Sequence, residues 1–342
     1  METKILKPDQ IDEAAKLIRA GELVAFPTET VYGLGADATN ESAVKQVYQA
    51  KGRPSDNPLI VHVADIATVE HFADTLSAEA HKLMDAFWPG SLTMIFKLKP
   101  NVLSPAVTGG LSTAAFRFPN NQTTLNLIKA SGKPMVGPSA NTSGKPSPTT
   151  AQHVYHDLKG KIAAILDDGP TEVGVESTVL DMSTDQPAIL RPGAVTKDQI
   201  EEIIGKPVMD ELHHVGVDEV PKAPGMKYKH YAPNAQVYIV DPDDSWEDVN
   251  QWVKDNQSND PIGVMAFDKD LKSVDWANNI EQISLGTDVQ DASHNLFNEL
   301  RAFDDQPQYK TIFVQGVDPV GLGEAYMNRL NKSAGQMHFK QL

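Results

Sequence analysis

Leu23-Val24-Ala25-Phe26-Pro27-Thr28-Glu29-Thr30-Val31-Tyr32-Gly33-Leu34-Gly35 is followed, after a gap, by Lys51-Gly52-Arg53-Pro54-Ser55-Asp56-Asn57-Pro58-Leu59-Ile60-Val61-His62. The apolar run 23–26 reads as a short buried strand that stops at Pro27. The loop after it is rich in hydroxyls and glycines, a composition that lets backbone approach a ligand without Cβ crowding. Gly52 and Pro54 keep the segment around Lys51 and Arg53 from regular helix, so the two cations are expected to converge on one anion. Together these features predict one wall of a nucleotide site, with polar groups gathered where a strand ends.

The chain's 342 residues favour two domains, each large enough for its own core. Hydrophobic content of 40% and charged content of 22% are those of a globular protein. No apolar run approaches the roughly 20 residues of a spanning helix. Met1-Glu2-Thr3-Lys4 lacks the basic-then-apolar pattern of a secretory leader. There is no cysteine, which excludes disulfides, thiolate metal sites and cysteine catalysis. The expectation is a cytoplasmic protein without membrane contact. The net charge is −16, and residues 233–342 hold 18 acidic against 8 basic side chains. That is a poor footprint for a phosphate backbone, so stable direct nucleic-acid binding is not expected.

Outward from the opening stretch, residues 8–20, 41–50 and 78–87 read as helices, and 59–63 and 92–98 as strands. Alternation places Ile60 and His62 on one face of the 59–63 strand. His62 then either projects near the site or is a hydrogen-bonded histidine at a sheet edge. In the strand 111–118, Thr113, Ala115 and Arg117 share one face and Ala114, Phe116 and Phe118 the other. An inward arginine needs an anion, supplied either by an internal Asp or Glu or by a bound carboxylate or phosphate. Residues 134–150 form a second polar loop whose Ser139, Asn141, Thr142, Ser143 and Ser147 suit phosphate and ribose, or simply a surface. Strands are expected at 163–166 and 178–180, a turn rather than a metal pair at Asp167-Asp168-Gly169-Pro170, and a short helix at 200–204. Ile189-Leu190-Arg191-Pro192-Gly193 again ends an apolar stretch on an arginine beside a turn.

Prolines and glycines then interrupt the pattern, and the chain divides into a first domain 1–206, a linker 207–235 and a second domain 236–342. The linker carries His230, Tyr228 and Tyr231, unlike a plain spacer, and reads either as a packed tether or as a flap over the site. The last domain alternates: strands at 237–240, 262–267, 283–285 and 311–314, helices at 246–255, 289–303 and 323–333. This predicts a small parallel, Rossmann-like sheet. Gly321-Leu322-Gly323 is too little for a dinucleotide fingerprint and reads as a helix start. P-loop, His-Glu-x-x-His and Gly-x-Ser-x-Gly motifs are absent. What remains is an anion-binding bowl of Thr30, Lys51, Arg53, Thr113, Arg117, Ser139, Asn141, Ser177 and Arg191 with no evident nucleophile, suited to positioning and charge neutralisation.

Six motifs in order resemble the two-domain threonylcarbamoyl-AMP synthases of the YrdC-like fold. They are Pro27-Thr28-Glu29-Thr30-Val31-Tyr32-Gly33-Leu34, Lys51-x-Arg53, Ser139-x-Asn141, Glu176-Ser177-Thr178-Val179, Leu190-Arg191-Pro192-Gly193 and Pro224-Gly225-Met226-Lys227-Tyr228-Lys229-His230-Tyr231-x-Pro233. The resemblance implies an α/β fold, a twisted mixed sheet with a basic cavity followed by a small Rossmann-like domain. It implies that L-threonine, bicarbonate or CO2, and ATP give threonylcarbamoyl-adenylate and pyrophosphate, for the tRNA threonylcarbamoyl transferase machinery. Carried over by position, Thr30, His62, Arg117 and Ser177 would hold threonine. Arg53, Asn57, Thr113, Ser139, Asn141, Ser147, Arg191 and Tyr231 would hold ATP, Tyr231 as part of a lid. Lys51 and Arg53, with Mg2+ brought by the phosphates, would be the catalytic cations. The contrasting expectations are an RNA-binding module without catalysis, or the same activation directed to another carbamoyl acceptor.

Overall fold

The structure, a computed structural model, describes residues 2–210, 221–223, 230–256, 260–306 and 308–342. Residues divide into two compact units, one of 1–143 with 147–228, the other of 144–146 with 229–342. The linker stretches 211–220 and 224–229, and with them the lid motif up to Lys229, lie outside the described residues.

The first unit is built on a mixed sheet. Its strands run Lys4–Leu6, Ala164–Leu166, Val24–Phe26, Gly33–Asp37, Met135–Val136, Ile60–His62, Thr113–Arg117, Leu92–Lys97, Thr178–Asp181, Ala188–Arg191, Met209–Asp210. Two readings of the opening stretch change here. The glycine-rich segment is not all loop: Gly33–Asp37 pairs antiparallel with Val24–Phe26. Its glycines make room for strand packing, since a Cβ on Gly33 would sit 2.7 Å from the Phe26 ring and one on Gly35 would sit 2.7 Å from the Val24 carbonyl. Lys51, moreover, is helical. Asn40 caps the helix Glu41–Lys51 by accepting from the Ala43 N–H, and Gly52 ends it at φ 62°. The buried positions Val44, Val47, Tyr48 and Lys51 recur at helical spacing, so the 3.6-residue period carries the lysine inward.

The two faces of the central strands differ. Leu59, Val61, Val63, Ala114, Phe116, Met94, Phe96 and Leu180 belong to the large core. Ile60, Ile95, Ala115, Val179, Ala188, Leu190 and Ala223 form a small separate cluster on the opposite face. The alternation predicted for 59–63 and 113–117 holds, and the second face is floored by aliphatic side chains. Ala223, in the described part of the linker, is fully buried in that cluster.

The second unit has a four-stranded parallel sheet in the order Gln236–Val240, Thr311–Gln315, Ile262–Ala266, Ile280–Ser284. The strand expected at 283–285 therefore begins earlier. Gly321, at φ 57°, opens the helix Leu322–Ala334, and a Cβ on Gly323 would lie 2.2 Å from the Asp318 carbonyl; a positive φ at the first and tight packing at the second are reason enough for these glycines. Among the described residues no helix is long and apolar enough to cross a membrane.

Candidate active site

The parallel strands Ile60–His62 and Thr113–Arg117 are in register, Ile60 opposite Ala115 and His62 opposite Arg117. Both candidate side chains thus leave the sheet together, at the ends of adjacent strands and on the face of Ile60 and Ala115. Thr93, opposite Arg117 on the other side, shares a hydrogen bond of 2.8 Å with the hydroxyl of Ser177. Thr30 arrives from the loop after Val24–Phe26, where Thr28 Oγ1 accepts from the Thr30 and Val31 N–H groups and shapes a turn.

Arg117 is 4% exposed. Its Nη1 donates to Thr30 Oγ1 at 2.8 Å, its Nη2 to Glu29 Oε1 at 2.6 Å. The internal carboxylate foreseen as one alternative is present, and it is Glu29. That carboxylate also accepts from Ser91 Oγ and the Asn120 N–H, so the guanidinium is held in one plane with protons left to offer. His62, 2% exposed, meets the Phe26 ring edge-on at 5.2 Å. Its Nδ1 is buried with no hydrogen-bond partner among the described residues. Burial first, and the Arg117 charge second, push its pKa down to about 3; the ring is neutral at physiological pH. Glycine at 137 is required here, because a Cβ would lie 2.5 Å from Phe26 and 2.6 Å from His62 Nδ1.

The nucleotide-assigned residues form a second group. Arg191 donates from Nε and Nη2 to the Ser177 carbonyl at 3.1 and 2.9 Å, which joins the two groups at Ser177. Ser147 is fully buried and donates to Glu176 Oε1. Asn57 is 1% exposed with Oδ1 unpartnered among the described residues; a buried orphan of this kind points to a ligand. Thr113 starts the strand that Arg117 ends and is half-buried, as is Ser139.

Among the described residues Lys51 and Arg53 reach different oxygens. Lys51 Nζ donates to the carbonyls of Ser139 and Asn141 and to Asn141 Oδ1, whereas Arg53 Nη2 reaches the carbonyls of Asn57 and Pro58 at 3.5 and 3.3 Å. The cause is the helix end at Gly52, which leaves Lys51 on the buried side and turns Arg53 out of the helix. Tyr231 belongs to the second unit, at φ 65°, 4% exposed, its ring 5.1 Å from that of Phe297. Asp167 accepts from the Gly169 N–H and pairs with Lys7, as a turn residue does. Sequence reasoning missed Glu29, Glu176 and Thr93 as site residues. An acid inside each of two polar strand-end motifs was the available signal.

Comparison with known proteins is consistent along the chain. A family model described as "Telomere recombination" matches residues 16–193, and one described as "Threonylcarbamoyl-AMP synthase, C-terminal domain" matches 195–335. The chain is 47% identical over 327 residues to the Bacillus subtilis (strain 168) protein named threonylcarbamoyl-AMP synthase, covering 95% of this chain and 93% of the relative. It is 44% identical to the protein of that name from Pyrococcus abyssi (strain GE5 / Orsay), covering 94% and 93%. The crystal structure of P. abyssi Sua5 complexed with L-threonine superposes with a TM-score of 0.89 at 42% identity, covering 98% of each chain.

Proposed function

The chain belongs to the threonylcarbamoyl-AMP synthase family, and we propose that it joins L-threonine, bicarbonate and ATP into threonylcarbamoyl-adenylate with release of pyrophosphate. The observation that carries this reading is the in-register pair His62 and Arg117, with Thr30 on the guanidinium. Arg117 is the partner for the amino-acid carboxylate, offered by a fork that Glu29 already orients. Thr30 and Ser177 supply hydroxyls, and neutral His62 supplies an acceptor for the substrate's hydroxyl or amine.

Chemistry then needs no protein nucleophile. The threonine nitrogen adds to the carbon of CO2, in equilibrium with bicarbonate, and loses a proton to give a carbamate. A carbamate oxygen attacks the α-phosphorus of ATP, and the bond from that phosphorus to the bridging oxygen of the β-phosphate breaks. Pyrophosphate leaves. Arg53 and Arg191 are the candidates for neutralising phosphate charge, with Asn57, Thr113, Ser139, Asn141 and Ser147 as neutral donors and acceptors. Mg2+ would enter with the triphosphate and supply further charge neutralisation. The activated product would pass, in the cytoplasm, to the transferase machinery that modifies adenosine beside tRNA anticodons.

The deciding assay gives the protein ATP, Mg2+, bicarbonate and each amino acid in turn, and measures pyrophosphate. Release with threonine, and with serine well behind, is expected. Release without an amino acid, or to the same extent with unrelated ones, overturns the proposal.

A further inference from the structure

Lys51 is almost fully buried, at 2% exposure, on the core-facing side of its helix. An ammonium has three protons, and among the described residues three oxygens accept from this one: the Ser139 carbonyl, the Asn141 carbonyl at 2.6 Å and Asn141 Oδ1 at 3.3 Å. The backbone carbonyl of the same lysine accepts from the Ser143 N–H at 2.9 Å. The loop is tied at two further points, Ala140 N–H to the Tyr32 carbonyl at 2.8 Å and Thr142 N–H to Asp157 Oδ2 at 2.9 Å. One residue therefore holds the 139–143 loop at three of its positions, 139, 141 and 143, by four hydrogen bonds.

We propose that Lys51 is a positioning residue for the nucleotide: its ammonium staples the 139–143 loop into the form in which Ser139 and Asn141 meet ATP, and it does not itself touch phosphate. The inference rests on reading that loop as part of the nucleotide site. Moving Nζ onto a phosphate would break its bonds to the Ser139 and Asn141 carbonyls, a cost that a native site avoids. Arginine is no substitute, because a planar five-donor fork does not match a pocket shaped for three protons on one nitrogen.

Two experiments test this, both on the full chain. In the first, the KM for ATP, the KM for threonine and kcat are measured for Lys51→Met, Lys51→Arg, Asn141→Ala, Ser139→Ala and Arg53→Ala, singly and in pairs. Lys51→Met should raise the KM for ATP about tenfold with threonine KM and kcat within about twofold, and Lys51→Arg should be no better. Lys51→Met should add nothing to Asn141→Ala yet multiply with Arg53→Ala, as coupled and independent pairs do. A Lys51→Arg enzyme that keeps its activity, or a Lys51→Met effect confined to kcat, overturns the proposal. If Asn141→Ala and Ser139→Ala leave the KM for ATP unchanged, the nucleotide reading of the loop fails and the proposal with it. If they raise it and Lys51→Met does not, the proposal alone fails. The second experiment needs no variant. Acetic anhydride labelling of the wild-type protein, read by mass spectrometry, should leave Lys51 unmodified with and without ATP and Mg2+. Labelling that ATP suppresses would show a lysine facing phosphate and overturn the assignment.

Discussion

Glu29 and Arg117 meet in a buried ion pair, Oε1 to Nη2 at 2.6 Å with each side chain 5% exposed. The pair orients the guanidinium and also makes it dependent on its carboxylate. Glu29→Gln leaves the cation uncompensated, a loss of roughly 3–5 kcal/mol for a broken buried pair. Threonine would bring a replacement anion. Saturating threonine should therefore raise the melting temperature of Glu29→Gln more than that of the wild type. Equal shifts in thermal denaturation would remove Arg117 as the carboxylate partner.

His62 should mark the acid limb of stability. Its pKa is lowered from 6.5 to about 3 by burial and by Arg117, so the unfolded chain takes up a proton below pH 6.5 that the folded protein refuses. The contribution of the neutral ring is intact above that value and declines as pH falls toward 3, by about 1.4 kcal/mol per pH unit. In urea titrations between pH 6 and 4, His62→Asn should lose stability less steeply than the wild type. Parallel slopes would show that His62 is already protonated in the native state.

Gly137 should separate the two halves of the site. An added methyl must displace Phe26 or His62, since its Cβ would approach them to 2.5 and 2.6 Å. Gly137→Ala is expected to cost about 1–3 kcal/mol as an overpacked core does, and to raise the KM for threonine while sparing that for ATP. An effect of the same size on both substrates would remove His62 from the threonine half.

Legibility in the sequence followed the strength of local periodicity. The helices Ala78–Phe87 and Trp246–Asp255 end where their patterns end. Gln122–Ser131 was missed because Thr123 and Thr124 lie on its buried side and hide the apolar period. The strand Ile280–Ser284 is half exposed at a sheet edge, where alternation is faint. At the site, the shared faces of His62 and of Thr113 with Arg117 followed from the two-residue period alone. The partners could not: Glu29 lies 88 positions from Arg117, and Asn141 lies 90 from Lys51. For Lys51 two signals in the sequence oppose each other: Gly52 and Pro54 suggest a helix that stops before it, whereas its spacing from Val44, Val47 and Tyr48 keeps it in register with the buried face.

Val24–Phe26, the strand from which the Thr30 loop springs, is paired on one side with Gly33–Asp37 and on the other with Ala164–Leu166. Its second neighbour is made some 140 residues later. At synthesis rates of about 5–20 residues per second, that interval is on the order of ten seconds. During it an apolar strand edge emerges from the ribosome without its partner, and a sheet so dominated by distant pairings closes slowly. The nascent chain therefore passes through a period in which Leu23 to Phe26 is a target for chaperones or for other chains, well before the loop beside it can bind anything.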